Sequence, residues 1–371
     1  MMSLTRAQAH PSRRAPWTRR ITYGFVVTTA GFSTSGCSGA TAAGPGPGEP
    51  TVALRELAEE RDIGIGAAVG GSLALPESQG DPYAETLARE FNVMTLENDM
   101  KHGPLRPSRD EYRFDRADAM VAFGESKGMR VRGHTLVWHG QLAGWLEDGT
   151  WTAEEARQQL SDHVTTVVTH YQGRVDAWDV VNEAIEGDGS RRTTFWSTNV
   201  GPDYIETAFR LAHEADPDAE LFYNDYGMEG INAKSDAAFE MLEDFVERGV
   251  PVHGVGFQAH FTAGQLPSRG ELLQNFARFA ELGLRIHITE LDIRVRTPAS
   301  AEDLQRQAND YATVVDVCLE TSNCDMIVLW GFTDAASWIP GTFPGWGEAL
   351  IFDEDYDPKP AYWAVHEGLG G

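Results

Sequence analysis

Eight short β-rich runs recur between residues 64 and 331, with longer amphipathic segments between them. The runs span 64–69, 92–96, 130–137, 175–181, 220–223, 252–259, 284–291 and 325–331. Helical periodicity predicts helices that include 117–127, 153–171, 204–215, 233–248 and 301–320. Eight strand–helix units in one domain of this length point to a (β/α)8 barrel, an α/β fold with a parallel sheet closed on itself. A doubly wound open sheet is the alternative. It calls for a Gly-rich phosphate fingerprint after the first strand, and Gly64-Ile-Gly66-Ala-Ala-Val-Gly70 does not fit G-x-G-x-x-G.

In a barrel of this kind the chemistry sits where the strands end at their C-termini. Glu97 and Asn98 follow the second run, and His134 and Trp138 lie at the end of the third. Asn182-Glu183 closes the fourth, Asn224-Asp225-Tyr226 the fifth, Gln258 and His260 the sixth, Glu290 the seventh and Trp330 the eighth. Polar residues often end strands singly. Seven of eight ends carrying Glu, Asn, Gln, His or Trp describe a polar cleft with aromatic walls.

A glycosidic bond yields when one carboxyl group protonates the leaving oxygen and a second attacks or stabilises the anomeric carbon. Glu183 and Glu290, on strands four and seven, supply such a pair. A lone strand-end Glu is ordinarily a cap or salt bridge; two facing one cleft, among residues suited to sugars, are more. Glu290 has Asp292 and His260 close in sequence or at a neighbouring strand end, groups that can hold it ionised as a nucleophile. Glu183 faces a second carboxylate, and that repulsion favours its protonated form. Trp138, Trp330 and Trp338 offer flat faces for pyranose rings beside Asn98, Lys101 and Gln141. Core packing is the more usual fate of Trp.

His134, His139 and His260 could suggest zinc, but their sequence partners are amides and Trp, so no metal or other cofactor is expected. His287 is expected to alternate with the inward positions of strand seven and to pack outward against helices. A formal charge of −26 argues against nucleic-acid binding, which needs clustered Lys and Arg. A neutral polysaccharide is indifferent to that charge.

Residues 1–36 carry five arginines, no acidic residue and an apolar run over 21–32, the pattern of an export signal. Removing it takes the formal charge from −26 to −31. Thr34-Ser35-Gly36-Cys37 resembles a bacterial lipobox, so secretion and a lipid anchor to the membrane through Cys37 are both open; Thr18-Arg19-Arg20 resembles a twin-arginine signal. Residues 37–50 read as a Gly/Pro-rich tether and 51–371 as the catalytic domain, a monomer being the simplest expectation. Cys318 and Cys324 are expected to staple a helix end to the next strand in an exported protein; a metal pair has no nearby His or Cys to complete it.

Several segments together resemble glycoside hydrolase family ten: Leu96-Glu-Asn-Asp-Met-Lys101, Phe114-Asp-Arg-Ala-Asp118, Arg132-Gly-His-Thr-Leu-Val-Trp-His139 and Asp179-Val-Val-Asn-Glu-Ala184. Tyr223-Asn-Asp-Tyr226, Gly256-Phe-Gln-Ala-His260, Ile288-Thr-Glu-Leu-Asp-Ile293 and Trp330-Gly-Phe-Thr-Asp-Ala-Ala-Ser-Trp338 follow in the family's order. The resemblance runs from about residue 60 to the C-terminus. It implies a retaining endo-β-1,4-xylanase with Glu183 as acid/base and Glu290 as nucleophile. It implies further that Glu97, Asn98 and Lys101 bind the sugar two units from the cut. By the same resemblance His134, Trp138, Asn182, Gln258, His260, Trp330 and Trp338 wall the adjoining subsite, and Gln141 and Tyr226 fall on cleft positions. Many members also carry a disulfide at the Cys318–Cys324 position. The chain departs from the family pattern at His102 (usually Trp), Gly227 (usually Asn) and Ile339 (usually Arg). Competing readings are a glycan-binding barrel without catalysis and a cellulase-like or transglycosylating enzyme on the same scaffold.

Overall fold

A computed structural model describes residues 50–70 and 81–371. The export signal, Cys37 and nearly all of the tether lie outside the described residues. Eight parallel strands form the barrel: β1 Gly64–Val69, β2 Val93–Leu96, β3 Arg130–Gly133, β4 Ala177–Asn182, β5 Glu220–Asp225, β6 Gly254–Phe257, β7 Arg285–Arg296 and β8 Cys324–Leu329. Each pairs with its sequence neighbour, and β8 returns to pair with β1, leaving no open edge in the barrel. The (β/α)8 expectation holds. Strands buried on both faces need near-continuous apolar sequence, which is why Gly-Ile-Gly-Ala-Ala-Val and Ala-Trp-Asp-Val-Val-Asn are buried throughout.

Helices Tyr204–Ala215 and Ala301–Glu320 have the predicted bounds, and Ala153–His170 and Ala233–Glu247 end one residue earlier than predicted. Residues such as Thr152, Asn232, Ser268 and Ser300 close reciprocal capping boxes, satisfying backbone N–H groups that the first helical turn leaves free. Glu90 ties the two ends of the domain: its carboxylate accepts from Leu54 N at 3.1 Å and from the Tyr362 hydroxyl at 3.0 Å. The Cys318–Cys324 disulfide forms, with Cα atoms 5.2 Å apart.

The barrel interior is filled by side chains that meet across non-adjacent strands. Arg132 on β3 lies 5.3 Å from the Phe222 ring on β5, and His287 on β7 stacks on that ring at 4.0 Å. Gly254 makes room, since a Cβ there would sit 2.1 Å from Phe222. His287 therefore faces inward, contrary to the outward position expected from alternation. Counting by twos from Glu290 fails because the β7–β8 register shifts between Ile288 and Leu291. Strand β7 also runs past its predicted end to Arg296, where His260–Thr262 and Trp346–Gly347 pair with it.

Candidate active site

The C-terminal strand ends open into a cleft of about 640 Å³. Glu97, Asn98, Lys101, His134, Trp138, Gln141, Asn182, Glu183, Tyr226, Gln258, His260, Glu290, Trp330 and Trp338 all line it, together with Gly227, Arg294 and Phe343. Asp292 sits fully buried behind the wall.

Glu290 is almost wholly buried, and a buried carboxylate keeps its charge only when it is paired. Asn224 Nδ2 donates to Oε1 at 2.8 Å, and His260 Nε2 lies 3.2 Å from Oε2. Burial by itself raises the carboxyl pKa, but the imidazoles of His134 and His260 outweigh it, and the net displacement is downward. Burial likewise disfavours the charged form of His260. The carboxylates of Asp292, 2.8 Å from Nδ1, and Glu290 reverse that and lift its pKa to about 10. Trp338 Nε1 donates to the same Asp292 oxygen at 2.8 Å, so an aromatic wall and the histidine are fixed by one carboxylate. His134 is oriented by Asp179 at 2.9 Å, itself held ionised against burial by Arg132.

Glu183 is wired differently. Gln258 Nε2 donates to its Oε1 at 3.0 Å and Asn182 Nδ2 at 3.3 Å, while His139 lies 3.8 Å from Oε2. Burial pushes His139 towards its neutral form. Glu183 adopts φ +57°, a region that costs a non-glycine residue energy and persists only when surroundings fix it. Those surroundings are Glu183 N to Asn224 O at 2.9 Å, Arg192 Nε to Glu183 O at 2.8 Å, and Ala184 N to the Tyr223 hydroxyl at 3.2 Å.

A chain of amides joins the two glutamates. Asn224 Nδ2 also donates to Asn182 Oδ1 at 3.0 Å, and Gln258 Nε2 donates to that same oxygen at 3.1 Å. Thr289 completes Asn224 by donating to its Oδ1 at 2.6 Å. The polar floor lies beside this: Lys101 Nζ and Gln141 Nε2 both donate to Asn98 Oδ1, at 3.0 and 3.1 Å, and Asn98 donates to Glu97 at 3.0 Å. Lys101 also lies 4.9 Å from the Trp138 ring. Tyr226 is 41% exposed, so its ring is available at the cleft mouth, with its hydroxyl 3.0 Å from Arg192 Nη2.

The family model for Glycosyl hydrolase family 10 matches residues 53–368. This chain belongs to that family. It is 46% identical over 322 residues to Endo-1,4-beta-xylanase B of Thermotoga neapolitana, covering 86% of this chain and 92% of that protein. Endo-1,4-beta-xylanase 1 of Humicola insolens is 41% identical over 282 residues, 76% of this chain and 66% of that one. Native xylanase 10B from Thermotoga maritima superposes with a TM-score of 0.83 at 48% identity, covering 86% of this chain and 98% of that one. Xylanase 10B from Thermotoga petrophila in complex with xylobiose gives 0.83 at 47%, with 87% and 98% covered.

The family departures have plain structural consequences. His102 is buried against His163 and Trp145 and accepts from Ala143 N at 3.3 Å, so it supports the wall from behind. Gly227 lines the cleft without a side chain, and Ile339 is fully buried beside Ala349 and Leu350. Sequence reading did not single out Arg294 or Phe343 for the cleft, because the seventh run was ended at residue 291 and Phe343 lies past the last motif. Asn224 was visible as a strand-end amide. Its bridging role needs Asn182 and Glu290 to be neighbours in space.

Proposed function

We propose that this chain is a retaining endo-1,4-β-xylanase in which Glu290 is the nucleophile and Glu183 the acid/base. The observation that carries the assignment is the unequal wiring of the two glutamates. Glu290 is held ionised between Asn224 and a cationic His260. Glu183 receives only amides at hydrogen-bonding distance, with a histidine biased to neutrality beyond them. An ionised carboxylate opposite one that can carry a proton is what double displacement needs.

In the first step Glu183 gives its proton to the glycosidic oxygen while a Glu290 oxygen bonds to the anomeric carbon. The C–O bond to the leaving chain breaks and a glycosyl ester remains. In the second, Glu183 takes a proton from water, the water oxygen attacks the same carbon, and Glu290 leaves with its electron pair. Trp138, Trp330 and Trp338 stack against the sugar next to the cut, with His134, Asn182, Gln258 and His260 around it. Glu97, Asn98 and Lys101 hold the sugar beyond. The xylanase names of the similar proteins, and the xylobiose bound by one of them, support xylan as the polymer.

Glu290→Ala is expected to abolish turnover on every substrate. Glu183→Ala should largely spare the first step on an aryl xyloside whose leaving group needs no proton, seen as a burst followed by slow deglycosylation. Equal loss in both variants on that substrate refutes the roles, and an α-anomer as the first product seen by NMR refutes retention. Reducing ends should appear from xylan well before carboxymethylcellulose or mixed-linkage glucan; none from xylan overturns the substrate.

Residues 1–36 are proposed as the export signal, with residues 37–50 as a tether to a monomeric catalytic domain. Export is supported by the basic, apolar and small-residue order of the sequence. Intact mass of the exported protein distinguishes plain secretion from a diacylated Cys37.

A further inference from the structure

Arg294 is the only arginine that lines the cleft among the described residues. Its guanidinium lies 4.3 Å from the Phe343 ring and 5.7 Å from the Trp346 ring, and makes no hydrogen bond or ion pair among the described residues. Stacking occupies the planar face of a guanidinium and leaves its N–H fork free in the plane, the geometry that grips a carboxylate. The other cleft cations cannot do this work: Lys101 is 6% exposed, bonded to Asn98 and surrounded by Glu97, Glu183 and Glu290, and His260 is held between Glu290 and Asp292.

Position decides what Arg294 meets. It is four residues beyond Glu290 on β7, about 13 Å along a strand at the usual rise. That spacing sets it apart from the bond being cut and towards the rim, with Phe343 in contact with both it and Trp338. There a main chain of neutral xylose offers no anion, whereas an acidic branch does. A chain with a formal charge of −26 repels a polyanion at long range, so an unpaired cation kept at the rim needs a local reason. We infer that Arg294 is a specificity residue that binds the carboxylate of a uronic-acid branch on the xylan chain. This rests on the xylanase reading above.

The test compares kcat/KM on glucuronoxylan with that on the same polymer after its carboxyl groups are reduced to alcohols. The acidic-to-reduced ratio of the wild type should fall about fivefold in Arg294→Gln, the loss expected for one exposed charge contact. Salt also screens the long-range repulsion, which both proteins share, so the wild-type advantage over the variant in this ratio should narrow as salt is raised. Arg210→Gln removes an exposed arginine that is paired with Glu206 and lies outside the cleft lining; it should leave the ratio unchanged. A ratio unchanged in Arg294→Gln, a wild-type advantage that salt does not narrow, or an equal reduction in Arg210→Gln overturns the inference while leaving a xylanase. Failure of the wild type on both polymers overturns the xylanase reading, and this inference with it.

Discussion

Two glutamates with the same side chain become different acids through what donates to them. Replacing His260 with Gln removes the cation beside Glu290 and keeps a hydrogen-bond donor in its place. The nucleophile must be ionised, and the imidazole holds its pKa down, so the variant's pKa rises. The acid limb of kcat/KM against pH should move upward by about one unit, activity being lost at a higher pH as acid is added. An unmoved limb with only a lower plateau would show that His260 merely packs. At this scale much was legible, because strand-end Glu, Asn, Gln, His and Trp announce themselves by type and order. The φ of Glu183 and the bridge through Asn224 were not, since neither has a local sequence signal. His287 was misjudged for the same reason: a register shift breaks a two-residue rhythm without changing the letters.

Elements were read best where one pattern decides them. Helix Ala301–Glu320 shows helical periodicity, begins at a Ser–Asp capping box and ends between the two cysteines, and its bounds are the predicted ones. Strand β7 was cut short because its last residues are held by two short strands that only the folded chain brings alongside. The disulfide belongs to this scale too. It joins the last turn of that helix to the start of β8, far from the cleft mouth in the chain's architecture. Closing so short a loop limits its entropic benefit, which the chain-entropy relation puts at about 2 kcal/mol. Cys318→Ala/Cys324→Ala should therefore lower unfolding free energy by about that amount in denaturant titration. Per folded molecule, xylan hydrolysis should persist; a variant that folds but has lost turnover would mean the staple reaches the site.

At the scale of the molecule, histidines make stability depend on pH in opposite directions on two sides of neutrality. His102, His163 and His287 are buried, and burial holds their pKa values down, that of His102 to about 3. Unfolded, they take up protons below their usual pKa near 6.5, so between 6.5 and 3 the unfolded chain binds more protons than the fold. Stability then falls with pH, by up to about 1.4 kcal/mol per unit for each histidine. His260 works the other way. Its pKa of about 10 means the fold holds a proton that the unfolded chain has lost, so stability declines as pH rises from 6.5 through 10. Asp225, lifted to about 6 by burial despite Lys234 at 2.7 Å, adds a smaller loss as pH rises from 3.8 to 6. His139 and His253, also held down by burial, add to the acid-side loss, while Glu229, Asp310 and Asp334, lifted by burial like Asp225, oppose it. The melting temperature should therefore peak near neutrality and fall on both sides. His102→Leu should flatten the acid side, and His260→Gln the alkaline side, in calorimetric scans from pH 4 to pH 10. A Tm that keeps rising from pH 6.5 to pH 9 in the wild type would contradict the charge assigned to His260, and with it the electrostatic support given to Glu290.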